Sequence, residues 1–194
     1  MKILYIVKTN KGAKWAFEQA RELCRLGNEI VTVLPNVNGG FAEEYKSINV
    51  KVYGCPCSFC VNPYQLIRRI KTIRKIISIE KPDIIHTHFV NNTMFIRAFC
   101  RNFKIPRLFQ VPGPLHLETW FTRIAEILTS NSYDYWGCGC QKTMALYLQS
   151  GIKKDRLCVT YYGGYGGSSC DLYTDSANIL HEQYGLTNET RIVS

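Results

Sequence analysis

Two histidines stand two residues apart in PDIIHTHF, residues 82–89, and that spacing suggests chemistry. In a strand, alternation puts His86 and His88 on one side. One of them is expected to emerge at the carboxyl end of the strand and face a cleft. A neutral imidazole there can donate or accept a hydrogen bond to a hydroxyl or a phosphate. A structural histidine reads the same way. Metal binding lacks support, because no carboxylate or thiol lies close in sequence to complete a set. Two other segments carry polar groups at comparable places. Thr9–Lys14 opens a helix after the first apolar run. Helix N-termini hold phosphates, and Gly12, between Lys11 and Ala13, would let backbone approach a ligand; an ordinary strand-to-helix turn reads the same way. In VPGPLHLET, from Val111, a Pro-Gly-Pro turn precedes His116 and Glu118 near a helix start. Glu118 there suits the helix dipole, or with His116 and His88 lines a binding pocket.

These segments need a frame that brings strand ends together. Short apolar runs start at Lys2, Glu29, Asn49, Asp83, Arg107, Tyr133 and Leu157. Helical spacing is expected over 14–26, from Pro63 to about Ile79, over 92–103, 117–130, 140–150 and 175–184. Gly27 and Gly151 mark helix ends, and Pro82 breaks the long helix. Strands apolar along their length and alternating with helices imply a parallel sheet covered on both faces. The expected fold is α/β, a single Rossmann-like domain of about seven strands over residues 1–185, with ligands at the carboxyl ends. The loops after strands one, four, five and seven are then the ones to read. Residues 186–194 read as a linker and the start of a truncated second, donor-binding domain.

The chain has 194 residues, 46% of them hydrophobic, which suffices for one domain with a sizeable core. Its start does not read as a signal peptide, and no apolar stretch approaches a membrane span, so a cytoplasmic protein is expected. Nine cysteines occur. Without a secretory signal, free thiols are the default reading. Cys55, Cys57 and Cys60 could supply three zinc ligands, with a fourth needed from elsewhere. The net charge of +9 suits anionic partners. Nucleic acid is not expected, since neither a recognition-helix motif nor an aromatic-basic signature is present.

PDIIHTHF, VPGPLHLE and the run from Tyr133 to Tyr165 together resemble the N-terminal domain of the retaining glycosyltransferases of family four, which have the two-domain GT-B fold. The last run departs at Tyr162, Gly163 and Gly164, where the family's turn carries an Asn. The resemblance implies transfer of a sugar from a nucleotide-diphosphate donor to a glycan or lipid-linked acceptor, with no metal or cofactor. It implies that Lys11, Gly12 and Ala13 close on the donor diphosphate and acceptor, and that His88 lies beside the transferred sugar. The nucleotide and the family's E-x7-E carboxylates belong to the other domain, so this chain by itself is expected to be inactive. Glu118 and Glu126 share that spacing by coincidence, in the wrong domain and without the glycine context.

The helix after Pro63 bears on partners. Leu66, Ile67, Ile70, Ile73 and Ile77 form an apolar stripe, while Arg68, Arg69, Lys71, Arg74 and Lys75 occupy other sides. A core helix with a solvated basic face fits. So does contact of helix 64–79 with an anionic membrane surface, useful if the acceptor is lipid-linked. A non-catalytic domain that binds an acidic glycan or lipid-linked precursor is the alternative to an enzyme half.

Overall fold

The computed structural model describes residues 1–111 and 113–161, which fall in one compact unit, Met1–Tyr161. Seven strands alternate with helices: β1 Lys2–Ile6, α1 Lys14–Arg25, β2 Glu29–Leu34, α2 Phe41–Ser47, β3 Lys51–Gly54, α3 Pro63–Glu80, β4 Ile84–Thr87, α4 Val90–Cys100, β5 Arg107–Val111, α5 Leu115–Glu118, α6 Trp120–Thr129, β6 Asp134–Cys138, α7 Gln141–Gln149 and β7 Leu157–Val159. The strand order is β3-β2-β1-β4-β5-β6-β7, and every pairing is parallel. The order reverses between β1 and β4, so their carboxyl ends flank the crevice where such sheets bind ligands.

Alternation along the strands builds two cores. Ile3, Tyr5 and Val7 point to one face and pack against Ala16, Phe17 and Ala20 of α1 and Ala42 and Tyr45 of α2. Leu4 and Ile6 point to the other, against Ile73, Ile76 and Ile77 of α3 and Phe95 and Ile96 of α4. On that second face Phe109 and Trp136 continue the layer beneath Ile127 of α6 and Tyr147 of α7. Full burial of a side chain of Ile or Phe size contributes roughly 1.5–3 kcal/mol.

Local chemistry sets the ends of the elements. Asn62 Oδ1 accepts from Gln65 N at 3.1 Å, and Pro63 fills the first position of α3. Lys81 ends α3 in the left-handed region, φ 45°, ahead of Pro82. Glu80, at the end of α3, receives Lys2 at 2.7 Å, Lys51 at 2.7 Å and the Tyr53 hydroxyl. That carboxylate ties α3 to the starts of β1 and β3. Burial would push its pKa up, but hydrogen bonds from Lys2, Lys51 and Tyr53 outweigh it and hold the pKa near 2.

The expected strands all form. α2 was not foreseen, and the helix expected over 117–130 is broken at Thr119, which is extended (φ −89°, ψ 118°). Within the foreseen stripe of α3, Ile67 is exposed, and Ile76 is buried instead. At about 100° per residue Ile67 lies roughly 120° around the helix from Ile73, off the packed face. The Gly/Ser-rich loop, the helix at 175–184 and the linker from 186 lie outside the described residues.

Candidate active site at the carboxyl ends of β1 and β4

β4 stops at Thr87, and His88 follows it directly. The rings of His86 and His88 share one face of the strand, 4.3 Å apart between centroids. His88 lies 4.3 Å from the Tyr5 ring and 4.9 Å from the Trp15 ring, so β1 and α1 both pack on it. Its fractional exposure is 0%, and neither Nδ1 nor Nε2 has a hydrogen-bond partner. His86 Nε2 and Gln110 Oε1 are also buried and unpartnered. Gln110 extends β5, which pairs with β4. Leaving a buried polar group unpaired costs about 1–3 kcal/mol. Burial keeps both rings neutral: it depresses the His86 pKa to about 4 against an opposing contribution from Gln110, and it holds the His88 pKa well below the ordinary value, with neighbouring His86 acting in the same direction. Each ring therefore offers one donor and one acceptor and carries no charge.

The β1–α1 loop beside them is held from an unexpected side. Thr9 Oγ1 accepts from Lys11 N at 3.0 Å and donates to Lys11 O at 2.8 Å, closing a small turn. Asn10 then clamps the loop that follows β2. Its Nδ2 donates to Asn36 O at 2.8 Å and Gly39 O at 3.2 Å, and its Oδ1 accepts from Asn36 N at 3.2 Å. Phe41 N, at the start of α2, donates to Asn10 O at 2.9 Å. Gly40 makes the clamp possible. Its φ is 55°, and a Cβ there would sit 2.1 Å from Asn10 O. Lys11 and Gly12 project outward, Gly12 at φ 73° with open space around it, while Ala13 is buried under α1.

His116 and Glu118 part company. His116 turns inward, with Nε2 2.7 Å from Glu126 Oε2 and 2.8 Å from the Tyr147 hydroxyl. Glu126 is fully buried and also accepts from Trp136 Nε1 at 2.8 Å and Tyr147 Oη at 2.8 Å. Arg97 Nη1 lies 3.5 Å from the same carboxylate, and Arg97 and Arg107 share Asp134. Burial raises the Glu126 pKa, but the hydrogen bond from His116 and the Arg97 charge bring it below the ordinary carboxylate value. His116 thus fastens α5 to α6 and α7, whereas Glu118 of α5 is exposed. Glu118 and Glu126 lie in opposite environments and make no pair.

Cys55 and Cys57 are buried in the core beneath α3, and Cys60 is half-buried with its thiol 3.4 Å from Asn62 O. Among the described residues no group of three or more His, Cys, Asp or Glu side chains could hold a metal ion. Asn10, Gly40 and Gln110 were not singled out from the sequence. The Gly39–Gly40 pair was a visible signal, because it follows a strand that must neighbour β1.

The seven-stranded parallel sheet with helices on both faces is the Rossmann-like α/β fold that makes up half of a GT-B enzyme. Anabaena HepE, solved with UDP and glucose, superposes with a TM-score of 0.67 at 15% identity, over 95% of this chain and 50% of that one. Acinetobacter baumannii MurG gives 0.58 at 12% identity, over 84% and 46%. A UDP-GlcNAc 2-epimerase from Methanocaldococcus jannaschii gives 0.63 at 17%, over 82% and 46%. The chain spans about half the length of these structures, and at such identities they show the fold and not the reaction. No curated protein sequence matches the chain. The model of Glycosyltransferase Family 4 matches residues 12–163, and the chain belongs to that family.

Proposed function

We propose that this domain is the acceptor-side half of a glycosyltransferase that moves a sugar from a nucleotide-diphosphate donor to a glycan or lipid-linked acceptor, with retention at the anomeric carbon. The observation that carries the reading is His88: a neutral imidazole with both nitrogens unpartnered, at the carboxyl end of a central strand, packed against Trp15 of the helix that the outward Lys11 and Gly12 precede. Family membership supports transfer, and the UDP and glucose bound by HepE support a nucleotide-sugar donor. In this reading His88 hydrogen-bonds a hydroxyl of the transferred sugar. The Lys11 charge and the open backbone at Gly12 approach the diphosphate. His116 keeps α5 in place, and Glu118 faces acceptor hydroxyls. Trp15 covers His88, so the loop and the start of α1 must shift for the sugar to reach it. The chemistry needs no metal or cofactor. We also propose that α3 contacts an anionic membrane, which brings a lipid-linked acceptor within reach. Among the described residues no helix is long and apolar enough to cross a membrane.

The test is release of nucleoside diphosphate from a panel of nucleotide sugars by the complete protein that contains this domain, beside the 194-residue chain. The expected result is turnover of at least one donor by the complete protein and none by the shorter chain. Binding of an acidic glycan without turnover of any donor would favour the non-catalytic alternative.

A further inference from the structure

Asn10 stands between Lys8 and Lys11 in the turn that leaves β1. Both lysines are exposed, and among the described residues neither has a carboxylate within ion-pair distance. Lys8 Nζ lies 5.9 Å from the centre of the Phe89 ring, and Phe89 follows His88. Lys8 therefore reaches from the end of β1 to the end of β4, across the crevice where the strand order reverses. Unneutralised cations at that edge of the sheet suit a phosphate.

A cation on an exposed loop holds a phosphate well only if the loop is already in place, because ordering it on binding costs conformational entropy. Asn10 supplies the order from the far side. Its amide serves Asn36 N, Asn36 O and Gly39 O in the loop after β2, and its own carbonyl accepts from Phe41 N. Among the described residues, each hydrogen bond between the two loops has an Asn10 atom at one end. The position asks for an amide, which donates to carbonyls and accepts from an N–H at once. An aspartate of the same size would set its charge against two carbonyl oxygens. The receiving loop, NVNGG from Asn36 to Gly40, carries no charge, and Glu43 beyond it is paired with Lys46 at 3.0 Å. The clamp thus fixes the lysines without neutralising them.

We infer that Asn10 is a positioning residue for the donor diphosphate. It touches no substrate, but it fixes the backbone between Lys8 and Lys11 so that both charges stay at the carboxyl edge of the sheet. The inference rests on the sugar-transfer reading above and adds Lys8 to the groups that meet the phosphates.

The test is steady-state turnover by the complete protein that contains this domain, with donor and acceptor concentrations varied separately and the Tm of each variant measured beside it. Asn10→Ala should raise the donor KM at least about tenfold, the size expected when a contact to a charged group is lost, and leave the acceptor KM unchanged. Asn10→Asp and Lys8→Gln should act in the same direction. Gly40→Ala breaks the same clamp from the other loop, so adding it to Asn10→Ala should raise the donor KM no further. Ile73→Ala, in the core beneath α3, is the control for lost stability: it should lower Tm and leave the donor KM unchanged. An Asn10→Ala variant that behaves like Ile73→Ala would make the clamp purely structural and overturn the inference, with the proposed function still standing. A raised acceptor KM at an unchanged donor KM would move the phosphate to the acceptor and overturn it too. Turnover of no donor by the unaltered protein would overturn the proposed function and this inference with it.

Discussion

Replacing Gly40 with alanine strikes the clamp between the two loops at the sheet's carboxyl edge. The added Cβ would lie 2.1 Å from Asn10 O and 3.1 Å from Asn10 C. Both neighbours are backbone, so no side chain can swing aside. The loops must separate by roughly 1 Å to restore ordinary contact. Two costs follow. A backbone at φ 55° and ψ −139° is strained for any residue with a Cβ, by about 1–3 kcal/mol. Separation also weakens the Phe41 N to Asn10 O hydrogen bond, worth about 1 kcal/mol. A loss of about 3 kcal/mol lowers Tm by roughly 6–12 °C in a domain of this size. Gly12→Ala is the matched control. Gly12 also has a positive φ, 73°, but nothing lies within 4 Å of its Cβ position. Its cost should be the backbone strain alone, about 1 kcal/mol, or roughly 2–4 °C. Thermal unfolding by circular dichroism compares the two variants. If Gly40→Ala were no more damaging than Gly12→Ala, the clamp would not hold the loop and the reasoning would fail.

Other outcomes follow from buried groups. His86 is neutral when folded, with a pKa of about 4 against 6.5 for the free side chain. Between those values the unfolded chain binds a proton that the folded chain refuses. Stability should therefore be complete above about pH 6.5 and fall by about 3 kcal/mol for His86 as the pH drops to 4, with His88 adding in the same direction. Tm measured against pH at fixed ionic strength should slope across that window; a flat profile would contradict the burial. Glu126→Ala strands Arg97, Trp136 and Tyr147 and should cost about 3–5 kcal/mol in urea unfolding, with Glu126→Gln milder; a cost below about 1 kcal/mol would mean the carboxylate does not organise α6. Ile73→Ala should cost about 2–5 kcal/mol and Ile67→Ala about 0.5 or less, and equal costs would mean that α3 packs on a different face.

The sheet was readable from the sequence because parallel strands buried on both faces read as nearly continuous apolar runs, as KILYI and EIVTVL do after their charged first residues. His86 and His88 were readable for the same reason, since a period of two is a local rule. What escaped depends on non-local contacts. α2 is one short helix whose start rests on Asn10 from another loop, and no local cap announces it. The sequence signal placed His116 and Glu118 together by proximity in the chain. Only the position of Glu126, on a different helix, turns one of them inward. For α6 only a helix was expected, and which side packs depends on a non-local network: Trp120, Phe121, Ile124 and Leu128 are exposed, while Glu126, Trp136 and Tyr147 satisfy one another within. Cys55 and Cys57, for which free thiols were the default reading and zinc the minor one, fill a core beneath α3.

The central claim is that an unpartnered, neutral His88 at the end of β4 meets the transferred sugar. The direct measurement is kcat of nucleotide-sugar turnover by the complete protein with His88→Ala, beside the Tm of the same variant. Loss of one hydrogen bond that strengthens in the transition state should lower kcat by on the order of 10²-fold, with the variant still cooperatively folded. An unchanged kcat in the folded variant would contradict the account and leave His88 a buried packing residue.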